Sequence, residues 1–405
     1  MKSDIDRLMQ ERDLAALLIP ADHNYSPAFD YLVGGVHITS GIAIKKQGEA
    51  PVLVVNIMEI EEAAASGLTV YTDNQMGWAE LRTDEENPTA KFWAHCLKQL
   101  GIESGKIGIY GVGELNLLLN IVTYLTKNHP QYEFVGEKAP TLFDIAAMTK
   151  DADELARIRS VAERTGQVQQ ATWDFIQQHR ADENEIVTKL DGSPLTIGDV
   201  RRFILAQLME KGLEDTGMIF AQGRDAGFPH SRGQDDMALK LGQPIVFDLF
   251  PRELGGGYHH DTTRTWCIGY APPEVQKVYD DVMTAFDVSV EAYGLNKPTH
   301  LMQEAVLDYF EGNGHPTSRS DKQTMVGYIH SLGHGVGLKI HEAPRITHHS
   351  QEDTFQVGQV ITIEPGLYYP DQGIGVRIED TFYIAEDGSL VSLTPFKKDL
   401  ILKLF

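Results

Sequence analysis

The chain has 405 residues, too many for one ordinary hydrophobic core and enough for two domains with sizeable cores of their own. Acidic residues outnumber basic ones by 58 to 35, and a formal charge of -23 repels phosphate backbones and anionic lipid, so no nucleic acid and no membrane partner is expected. The two cysteines, Cys96 and Cys267, lie far apart in the sequence and suggest neither a disulfide framework nor a thiolate metal site, which fits a reducing compartment.

The opening MKSDIDRLMQERD scatters charges where a secretory leader would need an unbroken apolar run, and LAALLIPA at 14–21 is far shorter than the roughly 20 apolar residues of a membrane span. A cytoplasmic protein made without processing is expected, with 14–21 as its first buried strand. From there to about 148, the short apolar runs AALLIP, GIAIKK, PVLVVN, GLTVYT, KIGIYG and EFVG alternate with helical patterns at 57–66, 87–100 and 113–127. That alternation predicts an α/β domain over 1–150 with a mostly parallel or mixed sheet, and it contains no catalytic motif.

Residues 149–180 carry Asp151, Asp153 and Glu154 at their start and apolar residues at Leu155, Ile158, Val161, Ala162 and Val168, the spacing of one long amphipathic helix that opens a second domain, 151–405. Further helices are predicted at 196–212, 273–293 and 299–313. Two hairpins follow from the longest strand patterns: VFDLF with HHDTTRTWCIG, and QVITIEPGLYYP with GVRIEDTFYIA. Each holds one acid per strand, Asp248 with Asp261 and Glu364 with Glu379, as though a helix and hairpin unit had been used twice.

These four acids sit inside runs that otherwise read as buried, and carboxylates are seldom buried without a cation or metal. A salt-bridged network with Arg264 and Arg377 is the plain structural alternative. The stretch HSLGHGVGLKIHE weighs against it, because it brings His330, His334 and His341 into a Gly-rich segment where backbone and ligands can approach closely. One imidazole with four carboxylates makes a hard, oxygen-rich site suited to two divalent ions such as manganese, cobalt, zinc or iron.

From 151 onward the sequence resembles the pita-bread metallopeptidases, the family of methionine aminopeptidase, aminopeptidase P and prolidase. The segments VFDLF, YHHDTTRT, SLGHGVG, TIEPG and GVRIED resemble its five ligand motifs in order, and imply Asp248, Asp261, His334, Glu364 and Glu379 as ligands of two metal ions. YLVGG at 31–35 and the long helix resemble the prolidase and aminopeptidase P branch, which implies a creatinase-like α/β N-terminal domain followed by an α+β pita-bread catalytic domain. The resemblance further implies a small peptide substrate cut before proline by a hydroxide bridging the two ions, with Asp261 and Glu379 serving both ions, Asp248 one, and His334 with Glu364 the other.

By the same resemblance Glu364 shuttles the proton, His341 hydrogen-bonds the substrate carbonyl or its oxyanion, and His230, counted with these catalytic residues, and His330, a substrate-binding residue, line the substrate pocket. Arg377 and Thr263 orient the ligand carboxylates. In HEAPR, Arg345 stands where some prolidases hold an arginine that pairs with a dipeptide's free carboxylate, and relatives with this N-terminal domain imply a homodimer. One departure is Phe250, followed by Pro251, where the family has a small residue two places after the first ligand, with a longer loop RELGGG behind it. Two other readings share the fold: a creatinase-like hydrolase that cleaves a C–N bond without metal, and a non-catalytic peptide-binding module.

Overall fold

The computed structural model describes residues 1–83 and 86–405, which divide into two compact units: Met1–Ala147 with Gly255–Gly257, and Met148–Leu254 with Tyr258–Phe405. In the first, the apolar runs form strands β1 (Leu14–Pro20), β2 (Gly41–Lys46), β3 (Val52–Val55), β4 (Thr69–Thr72), β5 (Gly105–Ile109) and β6 (Tyr132–Val135). They make one sheet in the order β4-β3-β2-β1-β5-β6, in which β2 runs antiparallel to both neighbours and the remaining pairs are parallel. Helices Pro88–Gln99 and Leu115–Asn128 bury Phe92, Trp93, Leu97, Ile121 and Leu125 in one cluster with Leu18, Ile42 and Val54 of the sheet. The expected helix at 57–66 is a 3-10 turn, Ile57–Glu59, running into Ile60–Ala64.

The second unit opens with helix Ala152–Gln177. Asp151 accepts from the Glu154 amide at 2.9 Å while the Glu154 carboxylate accepts from the Asp151 amide at 2.8 Å, a reciprocal cap that fixes where the helix begins. Its buried stripe, including Val161, Val168, Trp173 and Ile176, packs on a four-stranded sheet of β7 (Ile219–Gln222), β8 (Pro244–Leu249), β9 (Thr262–Ile268) and the short C-terminal strand Ile401–Leu402. Trp266 is the centre of that contact: its ring lies 5.4 Å from Trp173 and 5.2 Å from Phe247, both edge-on.

A second sheet joins β10 (Gly333–Gly335), β11 (Glu342–Ile346), β12 (Val360–Ile363), β15 (Asp380–Ile384) and β16 (Leu390–Ser392) in the order β11-β10-β12-β15-β16, while β13 (Gly366–Tyr369) pairs with β14 (Ile374–Arg377). Helices Pro273–Ala292 and His300–Gly312 supply Val282, Phe286, Val306 and Phe310 to a core shared with Ile361, Ile363, Leu367 and Val376. The second predicted hairpin is therefore interrupted. Its strands break at Glu364–Pro365 and at Ile378–Glu379, because proline has no amide for a ladder, and the Glu379 amide leaves its own hairpin to donate to Thr263 O at 3.0 Å. No helix among the described residues is long and apolar enough to cross a membrane.

Candidate metal centre and substrate cavity

Two ladders bring the acids together. In the first hairpin Asp248 lies opposite Thr263, with Asp261 just before β9 begins. In the second, the breaks just described release Glu364 and Glu379 from regular pairing. The bond from the Glu379 amide to Thr263 O then joins the two hairpins at the level of the carboxylates. His334 enters from β10, where it is flanked by Gly333 and Gly335. A Cβ on either glycine would come within 2.1 Å of a backbone oxygen, of Thr362 and Ala343 respectively, so no larger residue fits while β10 stays this close to its neighbours.

Ligand atoms of Asp261, His334 and Glu379 all lie within 4.8 Å of one another, and all three residues are buried. His334 Nε2 is 3.6 Å from Asp261 Oδ2 and 3.5 Å from Glu364 Oε1. The other ring nitrogen, Nδ1, is 3.1 Å from Gly335 O, and since a carbonyl can only accept, Nδ1 carries the proton and Nε2 presents a lone pair to the carboxylates. Burial, with His341 beside it, pushes the His334 pKa down to about 3, so the ring is neutral.

Around this group runs a directed set of hydrogen bonds. Arg377 donates from Nη2 to Asp248 Oδ2 at 2.7 Å, from Nε to Thr263 Oγ1 at 3.1 Å and from Nη1 to the Tyr368 hydroxyl at 2.7 Å. Thr263 in turn donates to Glu379 Oε2 at 2.8 Å. The Tyr368 hydroxyl, 3.0 Å from His330 Nε2, passes the chain on to His330, whose Nδ1 donates to Ser331 O at 2.8 Å. Both nitrogens of His330 are thus engaged within the protein. Arg264, fully buried, faces away from the centre: it donates to Glu379 O at 2.7 Å and to Asp380 Oδ1 at 2.8 Å.

This separates a metal site from a salt-bridged network. Of these two arginines only Arg377 reaches one of the four carboxyl groups, so among the described residues a single guanidinium is ion-paired within a group of four acids. Two carboxylates about 4 Å apart repel by roughly 4 kcal/mol at an effective dielectric near 20. Accordingly, burial and then the neighbouring Asp248 and Glu364 raise the Asp261 pKa, while burial with Asp261 and Glu364 raises that of Glu379. Burial pushes Glu364 up to about 8 against the opposing pull of Arg377. Asp248 Oδ1 and Asp261 Oδ1 are buried without a hydrogen-bond partner. Orphaned buried oxygens, a lone pair aimed among them and an excess of negative charge are what bound divalent cations would satisfy, and the residues present fit such ions.

The five residues line one cavity of about 320 Å³ together with His230, His330, His341, Arg345 and Arg377; apolar walls come from Ile219, Pro229, Phe250 and Ile340. Thr263 acts from behind, through Glu379 and Arg377. The His341 ring meets His334 edge-on at 4.4 Å. Burial, then Arg345 and His230, lower its pKa. The Arg345 main chain is held by Thr299 Oγ1, which donates to its carbonyl at 2.7 Å, and by Asp353, which accepts from its amide at 3.0 Å. Among the described residues its guanidinium pairs with no carboxylate. Tyr368 was not singled out from sequence; a tyrosine in an apolar strand reads as core, and only its place four residues after Glu364 could have hinted at more.

Residues 156–386 match the model of metallopeptidase family M24. The chain is 36% identical over 196 residues to the Xaa-Pro dipeptidase of Pyrococcus furiosus, a match covering 47% of this chain and 50% of that protein, so it spans about half the length of that relative. In solved structures it resembles the X-Pro aminopeptidase of Thermotoga maritima, with a TM-score of 0.76, 20% identity and 99% of both chains covered. It also resembles the prolidase of Pyrococcus furiosus, with a TM-score of 0.72, 23% identity and 97% and 100% covered. At these identities the structural likeness is one of fold, and the fold is the pita-bread arrangement behind an α/β domain.

Proposed function

Because the chain belongs to metallopeptidase family M24, we propose that it is a divalent-metal hydrolase cutting the peptide bond before proline in short peptides, with an Xaa-Pro dipeptide as the preferred substrate. The observation that carries this reading is the excess of acid in the cavity, where four carboxyl groups and a neutral imidazole converge and, of the two arginines on its wall, Arg377 alone is ion-paired to one of them among the described residues. Asp248, Asp261, His334, Glu364 and Glu379 would hold two ions, manganese first among them, though cobalt, zinc and iron suit the same donors. Ions bound there would lower the pKa of a water molecule and polarise the scissile carbonyl.

The chain's own groups do the rest. Glu364, at the cavity wall, takes the proton released by the attacking water and hands it to the leaving nitrogen. His341 and His230 donate hydrogen bonds to the carbonyl oxygen as charge gathers on it. Arg377, through Asp248 and Thr263, keeps the carboxylates aimed inward, and His330 holds the Tyr368 hydroxyl toward Arg377. Arg345, unpaired with any carboxylate among the described residues, grips the free carboxylate of a dipeptide in the two-pronged manner guanidinium allows.

The test compares Ala-Pro with Ala-Pro-Ala on manganese-loaded protein, before and after Arg345→Ala. The dipeptide is expected to be the better substrate and to lose about tenfold or more in kcat/KM, as for a charged hydrogen-bonded pair, while the tripeptide changes by less than about twofold. Preference for the tripeptide, or equal losses, contradicts the dipeptidase reading. Activity that survives complete chelation would favour creatinase-like chemistry. Folded protein inert with every divalent ion would favour a peptide-binding module. The enzyme is proposed to act as a homodimer in the cytoplasm; a monomeric mass in solution contradicts the first point.

A further inference from the structure

Behind the cavity lies an ion pair that the proposed reaction does not use. Glu342 follows His341 directly, and successive residues entering a strand face opposite sides, so the carboxylate turns inward where the imidazole turns to the cavity. Its Oε2 accepts from Lys150 Nζ at 2.6 Å, with the two side chains only 1% and 5% exposed. Its Oε1 accepts from the Lys339 amide at 3.1 Å. A Cβ on Gly337 would stand 2.4 Å from Oε2, so the connection 336–341 is wrapped around the carboxylate. Lys150 is itself anchored. Its amide donates to Gly358 O at 2.8 Å, and Asp151 beside it caps the long helix.

The same hairpin carries the working face of the site. Gly335 pairs with Glu342 and His334 with Arg345, so β10 and β11 present His334 and Arg345 while the turn between the strands ends on His341. Among the described residues the His341 ring makes no hydrogen bond and only an edge contact with His334. Its place is therefore set by its backbone, which Glu342 holds at the Lys339 amide while the His259 amide donates to Gly337 O at 2.9 Å. A buried ion pair is weak as a source of stability, since a well-packed apolar pair does as well, but removing one partner leaves a buried charge that must move or take up a proton.

We propose that Lys150 and Glu342 are positioning residues that hold the turn 336–341, and so place His341 over the substrate carbonyl. This rests on the peptidase reading above for its consequence in turnover, but not for the geometry. The experiment uses the full manganese-loaded chain with Lys150→Met and Glu342→Gln, each made in the native and the His341→Ala backgrounds. Two quantities are read: kcat and KM on Ala-Pro, and the rate at which diethyl pyrocarbonate acylates His341 and His230, followed by peptide mass spectrometry.

In the native background either variant is expected to lower kcat about tenfold or more, as ångström-scale misplacement does, with KM within about twofold. In the His341→Ala background the same changes should cost less than about twofold, because the group they place is gone. His341 acylation should change by at least about threefold while that of His230 stays constant, since only the first ring is released from its fixed setting. Equal losses in both backgrounds, or an unchanged His341 rate, overturn the proposal. If the native protein hydrolyses no Xaa-Pro peptide, the peptidase reading fails and the acylation rates still decide the positioning. If Lys150→Met does not fold, Glu342→Gln decides, because it keeps the shape and the acceptor for the Lys339 amide.

Discussion

Glu364 has its carboxyl pushed up to about 8 by burial, with Asp248 adding to the shift and Arg377 opposing it; Asp261 and Glu379 are raised in the same direction. A folded acid with a raised pKa binds more protons than its unfolded counterpart, so between the ordinary glutamate value of 4.5 and about 8 its contribution to stability declines as pH rises. Divalent ions bound there, as proposed, would displace those protons and neutralise the repulsion. The gain in Tm on adding manganese to chelator-stripped protein is therefore expected to grow from pH 5 to pH 8, and a gain that is flat or shrinks with pH, measured by differential scanning calorimetry, contradicts the electrostatic account. At this scale the sequence was readable where chemistry and motif coincide: Asp248, Asp261, His334, Glu364 and Glu379 all line one cavity. Tyr368, Lys150 and Glu342 were not, because a tyrosine in a strand, a lysine before a helix and a glutamate beside a histidine have nothing local that tells a buried network from an ordinary surface or core.

Strands and long helices were legible for a simple reason: each of β1 to β6 is a compact apolar run between polar stretches, and helix Ala152–Gln177 has both its cap and its stripe written in its residues. Short helices such as Ile5–Glu11 and Pro27–Val33 escaped, since one or two turns give too little periodicity. The second hairpin read as two unbroken strands because alternation carries no mark of a sheet change; the break at Glu364–Pro365 and the crossing of the Glu379 amide to Thr263 are tertiary events. Those breaks need a rigid first hairpin beneath them. Trp266, fully buried between Trp173 and Phe247 on β9, supplies it. Trp266→Ala is expected to cost about 3–5 kcal/mol of unfolding free energy by denaturant titration, as large core truncations do. A cost under about 1 kcal/mol would show that β9 is held some other way.

At the scale of the whole molecule, a chain of charge -23 concentrates part of its excess acid in one enclosed place and surrounds it with donors that leave two carboxylate oxygens, Asp248 Oδ1 and Asp261 Oδ1, unanswered. Family membership and the chemistry of the cavity support the proposed divalent-metal hydrolysis. The most direct measurement is native mass spectrometry of the purified chain equilibrated with manganese, run in parallel with Ala-Pro hydrolysis, for the native protein and for Asp261→Asn. The account predicts two ions per chain with turnover in the native protein, and loss of both bound metal and turnover in the variant. A native chain that is folded and active with no ion bound, or a variant that keeps both ions and full turnover, would contradict it.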